Sequence, residues 1–115
     1  GFRNKDLVIL EEEMRNACTS LIMMTDDGSR GEKGFVTQHS VLAEEFSYIY
    51  TCGPKPMMQA VARIAREHNI PCEVSLENLM ACGVGACLCC VEDTVEGHVC
   101  VCKEGPIFNI DRLKW

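Results

Sequence analysis

The stretch CGVGACLCC, residues 82 to 90, is the feature that most constrains this chain, because it places four of the nine cysteines within nine positions and has no charge. Cys82, Cys87 and Cys90 follow the spacing CxxxxCxxC, which opens a plant-type [2Fe–2S] motif. A loop that bends three thiolates around one cluster needs unusual φ angles, and Gly83 and Gly85 tolerate them. The glycines also allow backbone N–H groups to approach the sulfur atoms. The spacing therefore predicts an iron–sulfur site.

The fourth ligand of such a cluster would come from the segment VEDTVEGHVCVC. Its Glu96–Gly97 pair predicts a hairpin turn. Cys100 and Cys102 would then lie on the same side of the returning strand, two residues apart. Periodicity does not separate these two candidates. Within the loop itself, Cys89 is expected to be a small buried filler, and exchange with one of the ligand cysteines is the alternative.

A zinc-stabilised interaction domain without redox chemistry is an alternative of another class. Structural zinc sites usually present two short ligand pairs, and the pairs Cys87–Cys90 and Cys100–Cys102 could supply them. That arrangement would leave Cys82 and both glycines of the loop without a role. The ligand spacing therefore favours the iron–sulfur cluster over zinc.

Composition excludes several classes of partner and location. The formal net charge of -6, with no cluster of lysine and arginine, argues against nucleic acid. The longest weakly polar run, from Leu79 to Val91, is shorter than the roughly 18 residues that a membrane span needs. Nine cysteines, an odd number, favour a reducing and therefore cytoplasmic compartment over a disulfide-bonded secreted domain.

Before residue 78 the chain alternates between short apolar runs and helical patterns. Strands are predicted at 7–10, 20–25, 48–52 and 72–77, and helices at 11–17, 36–46 and 57–69. This alternation is typical of parallel βαβ units, whose ligand loops lie at the carboxyl ends of the strands. The loops after Thr25 and Cys52 both occupy that position. From Leu79 onward cysteine, glycine and short segments dominate, so we place a domain boundary near residue 78.

The stretches TDDGSRGEKGFV, YTCGPKPMMQAV and SLENLMACGVGACLCCV, followed by CKEGPIF, resemble the carboxyl-terminal half of the electron-transfer subunit of class 1B dihydroorotate dehydrogenase. The resemblance runs along essentially the whole chain. It implies an α/β fold with a ferredoxin-reductase-like nucleotide-binding parallel sheet, incomplete here, and a small C-terminal [2Fe–2S] domain. Residues 1–78 would be the partial pyridine-nucleotide domain, and residues 79–115 the cluster domain.

The resemblance also implies a function. In this family electrons pass from NADH to FAD, through the [2Fe–2S] cluster, and on to FMN in a catalytic partner subunit that makes orotate for pyrimidine biosynthesis. NAD and FAD would then be cofactors, with FAD held mostly by a flavin domain that precedes this chain, and the two subunits would form a heterotetramer. The family's flavin domain, and the first strand and glycine-rich loop of its nucleotide domain, are absent here, so the chain alone is expected to be inactive. A related iron–sulfur flavoprotein diaphorase, serving a sulfide dehydrogenase, a ferredoxin–NADP transhydrogenase or a hydrogenase, is the nearest alternative.

Three groups of site residues follow from the resemblance, and none of them is assigned as catalytic. The cluster ligands would be Cys82, Cys87, Cys90 and Cys102, with Cys102 preferred to Cys100 because it directly precedes KEGPIF. The residues beside the nicotinamide would be Cys52, Gly53 and Pro54. The residues in or near the nucleotide cleft would be Asp27, Gly28 and Ser29.

Overall fold

The computed structural model describes all 115 residues, which form two compact units, Gly1–Glu44 and Glu45–Trp115. The helices are α1 Glu11–Ala17, α2 Lys55–Glu67 and α3 Val101–Glu104. The strands are β1 Met24–Thr25, β2 Glu32–Lys33, β3 Ile49–Cys52, β4 Cys72–Ser75, β5 Val91–Thr94, β6 Gly97–Cys100 and β7 Ile107–Asn109. Short 3-10 turns cover Lys5–Leu7, Val36–Gln38, Ser40–Ala43 and Ile110–Arg112. None of the helices has the length and apolar composition required to cross a bilayer.

The first unit contains less regular structure than the sequence predicts. The strand expected at 7–10 does not form: a 3-10 turn ends at Leu7, and Leu10 has a left-handed φ of 54° where α1 begins. The second predicted strand is reduced to β1, which pairs in parallel with β2. An apolar strand is buried only where neighbouring elements cover its side chains. The run at 7–10 lacks such cover, since Ile9 stays 63% exposed. The helix predicted at 36–46 is likewise replaced by two 3-10 turns.

The second unit contains the predicted βαβ element. Strands β3 and β4 pair in parallel, and α2 is the crossover between them. The helix has Pro56 in its first turn, where the missing N–H is no loss, and it buries one apolar face of four residues, Met58, Val61, Ala62 and Ala65. It ends two residues earlier than predicted, and Asn69 follows with a φ of 54°.

A third strand joins this sheet from the carboxyl-terminal end of the chain. Strand β7 pairs antiparallel with β4, and it places Phe108 opposite Val74. Both side chains are fully buried in a core that also contains Val101. The apolar residues after the cysteine loop therefore share one core with the βαβ element. The division of the intact protein at residue 78 stays a prediction.

The predicted hairpin forms from β5 and β6. The strands pair antiparallel, and Thr94 lies opposite Gly97 across the turn. The Thr94 hydroxyl donates to the Gly97 carbonyl and accepts the Glu96 N–H, which closes the turn. The expectation that Cys100 and Cys102 both lie on the returning strand is wrong, because β6 ends at Cys100 and Cys102 lies in α3. The two cysteines are therefore not related by strand alternation.

Candidate metal centre

The cysteine loop between β4 and β5 is irregular, and its backbone takes the φ angles that the glycines were expected to allow. Gly83 has φ +70° and Gly85 has φ +76°. Leu88 also has a positive φ, 58°, which is uncommon for a residue with a Cβ. These turns fold the chain back on itself, so main-chain N–H groups face inward at the first cysteine.

The Cys82 sulfur accepts three main-chain hydrogen bonds. The donors are the N–H groups of Ala86 at 3.3 Å, Val84 at 3.4 Å and Cys87 at 3.5 Å. Led by the Cys87 N–H, these bonds lower the pKa of the Cys82 thiol to about 6. The thiolate is the form that binds metal, so the loop prepares Cys82 as a ligand.

Cys90, just before the hairpin, is linked by a hydrogen bond to Cys102 in α3. The Cys102 N–H donates to the buried Cys90 sulfur at 3.4 Å. This bond lowers the pKa of Cys90, although burial opposes it, while the hydrogen bond to Cys90 and burial raise the pKa of Cys102. The Cys87 side chain likewise contributes to the lowered pKa of Cys82. The side chain of Cys87 thus interacts with both Cys82 and Cys89, and that of Cys90 interacts with both Cys102 and Cys100.

The two cysteines that were not chosen as ligands have different surroundings. The Cys100 thiol donates to the Gly85 carbonyl at 3.7 Å, and burial raises its pKa. Cys89 is exposed, so the expectation that it fills a buried space is wrong. The Cys87 side chain raises the pKa of Cys89. Neither sulfur accepts a backbone N–H, in contrast to Cys82 and Cys90.

The residues present fit a [2Fe–2S] cluster. Such a cluster has two irons with two protein ligands on each, so it requires four ligands, and residues 82–102 contain six cysteines. The N–H donors to Cys82 and Cys90 and the uncharged loop suit thiolates that hold such a cluster.

The loop after β1 contains the residues predicted for the nucleotide cleft. The Asp27 carboxylate accepts the Ser29 hydroxyl at 2.6 Å and the Ser29 N–H at 2.9 Å, and these bonds lower the pKa of Asp27. Gly28 between them has φ +76°. The Ser29 hydroxyl in turn accepts the Lys5 N–H at 2.8 Å. Asp27, Gly28 and Ser29 therefore form one ordered turn.

The turn after β3 contains the residues predicted to lie beside the nicotinamide. Cys52 is exposed at the carboxyl end of the strand, and its thiol donates to a Glu77 carboxylate oxygen at 3.7 Å. Gly53 has φ +146°, and a Cβ there would lie 2.8 Å from the end of the Met57 side chain. The Pro54 carbonyl accepts the Met57 N–H and so starts α2. The contact with Glu77 was not foreseen from the sequence, since the residues are 25 positions apart.

Comparison with known proteins identifies the family. Residues 77–114 match the family model described as the iron–sulfur cluster binding domain of dihydroorotate dehydrogenase B. The chain is 48% identical over 119 residues to the probable dihydroorotate dehydrogenase B (NAD(+)) electron transfer subunit of Methanocaldococcus jannaschii, covering 100% of this chain and 45% of that one. It is 46% identical over 88 residues to the corresponding subunit of Clostridium acetobutylicum, covering 76% of this chain and 35% of that one. The chain belongs to the family of dihydroorotate dehydrogenase B electron-transfer subunits.

A solved structure shows the same fold as this family member. It is the structure of the NADH-dependent reduced ferredoxin-NADP oxidoreductase, which gave insights into flavin-based electron bifurcation. The TM-score is 0.80 at 32% identity, and the match covers 98% of this chain and 42% of that one. The predicted ferredoxin-reductase-like fold is thereby confirmed. The chain spans less than half the length of the relatives described above.

Glu92 of β5 is a further structural residue of this chain that the sequence did not reveal. Its buried carboxylate accepts the Lys55 ammonium at 2.7 Å, the Asn78 amide at 3.1 Å and the Trp115 indole N–H at 3.3 Å. Burial would raise the pKa of Glu92, but these bonds outweigh it and the pKa lies below its usual value. The network joins the start of α2, the segment before the cysteine loop and the last residue of the chain.

Proposed function

We propose that the protein passes electrons from NADH, through FAD and a [2Fe–2S] cluster, to the FMN-containing catalytic subunit of dihydroorotate dehydrogenase in pyrimidine biosynthesis. The observation that carries the proposal is the pair of cysteine sulfurs that accept backbone N–H groups, in a chain with named relatives of up to 48% identity. A flavin is required because hydride transfer moves two electrons whereas a [2Fe–2S] cluster accepts one. We assign FAD mostly to the part of the protein outside this chain.

In this function Cys82, Cys87, Cys90 and Cys102 hold the cluster. The N–H donors to Cys82 and Cys90 stabilise negative charge on the sulfurs without a basic side chain in the loop. Such hydrogen bonds, together with burial, set the reduction potential of an iron–sulfur centre. The main chain of the loop would therefore tune the cluster as well as shape its site.

The two remaining groups of residues would bind NADH. The Asp27 carboxylate, oriented by Ser29, is suited to accept hydrogen bonds from ribose hydroxyls. Cys52, Gly53 and Pro54 lie at the carboxyl end of β3, where ligands of parallel sheets bind, and would lie beside the nicotinamide. Gly53 keeps the backbone accessible there because it has no side chain.

The catalytic subunit would bind near the cysteine loop. Leu79, Val84 and Leu88 of this segment are 80%, 71% and 64% exposed, and exposed apolar side chains that cluster mark protein contacts. Association of two copies of each subunit into a heterotetramer is part of the proposal. We place the assembly in the cytoplasm because nine cysteines, an odd number, favour a reducing compartment.

Anaerobic purification of the full-length protein tests the proposal. It should contain about two iron atoms and about two acid-labile sulfides per chain, and NADH should generate the electron paramagnetic resonance signal of a reduced [2Fe–2S] cluster. Addition of the catalytic subunit and orotate should then reoxidise the cluster. A colourless protein that contains zinc and no sulfide would contradict the proposal.

A diaphorase subunit of ferredoxin–NADP transhydrogenase type is the second candidate, supported by the structural likeness to the ferredoxin-NADP oxidoreductase. The relatives named as dihydroorotate dehydrogenase B subunits have higher identity, 48% and 46% against 32%. They therefore favour the first candidate. The flavoprotein that co-purifies with the full-length protein distinguishes the two.

A further inference from the structure

Arg30 lies directly after the turn formed by Asp27, Gly28 and Ser29, and its backbone is held in place. The hydroxyl of the fully buried Thr25 accepts the Arg30 N–H at 3.1 Å and donates to the Arg30 carbonyl at 2.8 Å. Gly31 follows with φ +67°, and a Cβ there would lie 2.1 Å from the Met23 carbonyl oxygen. The backbone from which the Arg30 side chain extends is therefore fixed in the loop.

The Arg30 guanidinium is bound by Glu11, which lies 19 positions earlier in α1. Its Nη2 donates to both carboxylate oxygens of Glu11, at 2.8 and 3.1 Å, and its Nε donates to one of them at 3.2 Å. Arg15 donates to the same carboxylate at 3.0 Å. A bidentate pair of this kind has a fixed geometry, unlike most surface ion pairs. Glu11 thus accepts hydrogen bonds from both Arg15 and Arg30.

Two cavities of about 390 Å³ each border this ion pair. One is lined by Lys5, Asp6 and Ser29 besides the pair, so it reaches the nucleotide turn. The other is lined by Met23 and Gly31 besides the pair. A guanidinium in this position has room beside it for a phosphate group.

Dinucleotide sites distinguish their ligands with the same two residue types. An acidic side chain hydrogen-bonds the ribose 2′-hydroxyl of NAD, whereas a nearby arginine accommodates the 2′-phosphate of NADP. This loop contains both, Asp27 and Arg30. The arginine, however, is occupied by Glu11.

We propose that Glu11 is a specificity-determining residue, which selects a dinucleotide without a 2′-phosphate by holding the Arg30 guanidinium in an ion pair. The inference rests on the proposed function, because it takes the loop after β1 to be the nucleotide site. Glu11 acts in two ways. It occupies the nitrogens that would bind phosphate oxygens, and its charge cancels that of Arg30 beside the cavity.

The test is the variant Glu11→Gln in the purified holoprotein, with NADH and NADPH as reductants of the bound flavin. We expect the ratio of kcat/KM for NADPH to that for NADH to rise roughly tenfold, as the release of one charged hydrogen-bond donor predicts. The matched control is Glu13→Gln, which makes the same change of charge on the same helix outside the ion pair. It should leave the ratio near that of the unsubstituted protein.

Two further variants test the role of Glu11 even if Glu11→Gln destabilises the first unit. In Glu11→Gln/Arg30→Gln the gain for NADPH should be lost, because Arg30 provides it. Arg30→Gln alone should leave the ratio unchanged, because Glu11 already occupies that guanidinium. An unchanged ratio in Glu11→Gln, a gain that persists in the double variant, or a fall of the ratio in Arg30→Gln would each overturn the inference.

Direct binding separates this inference from the proposed function. Calorimetry with 2′,5′-ADP and 5′-AMP should show that Glu11→Gln strengthens binding of 2′,5′-ADP alone. If NADH reduces the holoprotein but Glu11→Gln binds both probes as before, only the specificity role is refuted. If the unsubstituted holoprotein accepts electrons from neither nucleotide, the proposed function fails, and this inference fails with it.

Discussion

The Cys82 sulfur is stabilised by main-chain donors and not by a cationic side chain. Its three N–H partners come from the loop that it begins, and they lower its pKa to about 6. Cys100 has the opposite environment, because its thiol donates to a carbonyl and burial raises its pKa. At the scale of single residues, the direction of hydrogen bonding at sulfur separates Cys82 and Cys90 from Cys100. It does not separate Cys102 from Cys100, because the pKa of both thiols is raised.

Serine substitutions of Cys102 and Cys100 test which of the two is the fourth ligand. Cys102→Ser should abolish or strongly distort the paramagnetic resonance spectrum of the reduced cluster, because it removes the predicted fourth ligand. Cys100→Ser should leave the spectrum nearly intact, since that thiol hydrogen-bonds to Gly85. The reverse result would show that Cys100 is the fourth ligand.

Two glycines with similar φ angles differ in what surrounds them. Gly31→Ala should destabilise the first unit by several kcal/mol, because the new Cβ meets the Met23 carbonyl oxygen at 2.1 Å in addition to the strain at φ +67°. Gly83 has φ +70°, but a Cβ added there would meet no atom within 4 Å. Gly83→Ala should therefore lower the free energy of unfolding by only about 1 kcal/mol. Urea unfolding measures both. Equal losses in the two variants would refute the steric argument.

At the scale of elements, the hairpin, α2 and the end of the chain are joined through Glu92. Lys55 begins α2, Asn78 precedes the cysteine loop and Trp115 is the last residue, and all three donate to this one carboxylate. Every partner is a donor, so only an acceptor with two free oxygens satisfies the set. The buried carboxylate therefore fixes the hairpin against the βαβ element.

Glu92→Gln should lower the free energy of unfolding by about 2 kcal/mol, because its amide NH2 would face at least one donor and the bond from Lys55 would lose its charge. Glu96→Gln on the same hairpin removes an exposed pair with Arg112 and should change stability by less than about 0.5 kcal/mol. Denaturant unfolding followed by the fluorescence of Trp115 compares the two. A similar effect of both variants would contradict the role assigned to Glu92.

At the scale of the whole molecule, the acidic balance of the chain, -6 at pH 7, makes its stability depend on how carboxylates are paired. The pKa of Glu92 is lowered by folding, so the ionised form stabilises the folded state. That contribution is complete above the unfolded pKa, near 4.3, and is lost as the pH falls through the lower folded pKa. Glu92 should thus contribute to acid unfolding.

The difference in unfolding free energy between the unsubstituted protein and Glu92→Gln should therefore be constant from neutral pH down to about pH 5, and should shrink below that. Denaturation at a series of pH values measures it. A difference that grows as the pH falls would have the wrong sign and would rule out the assigned protonation state.

The sequence by itself determined the features that depend on local spacing. The CxxxxCxxC motif, the hairpin turn at Glu96–Gly97 and the βαβ element around α2 each follow from residues close together in the chain, and the fold class that they indicate is confirmed. The choice of Cys102 as the fourth ligand, and of Asp27 to Ser29 and Cys52 to Pro54 as nucleotide contacts, stays a prediction. Only the tertiary structure decided that Cys102 lies in α3 and not on the strand, and that the apolar run at 7–10 forms no strand. It also brought Glu11 to Arg30 and three distant donors to Glu92, because such pairs depend on how separate elements pack and leave no periodic pattern in the sequence.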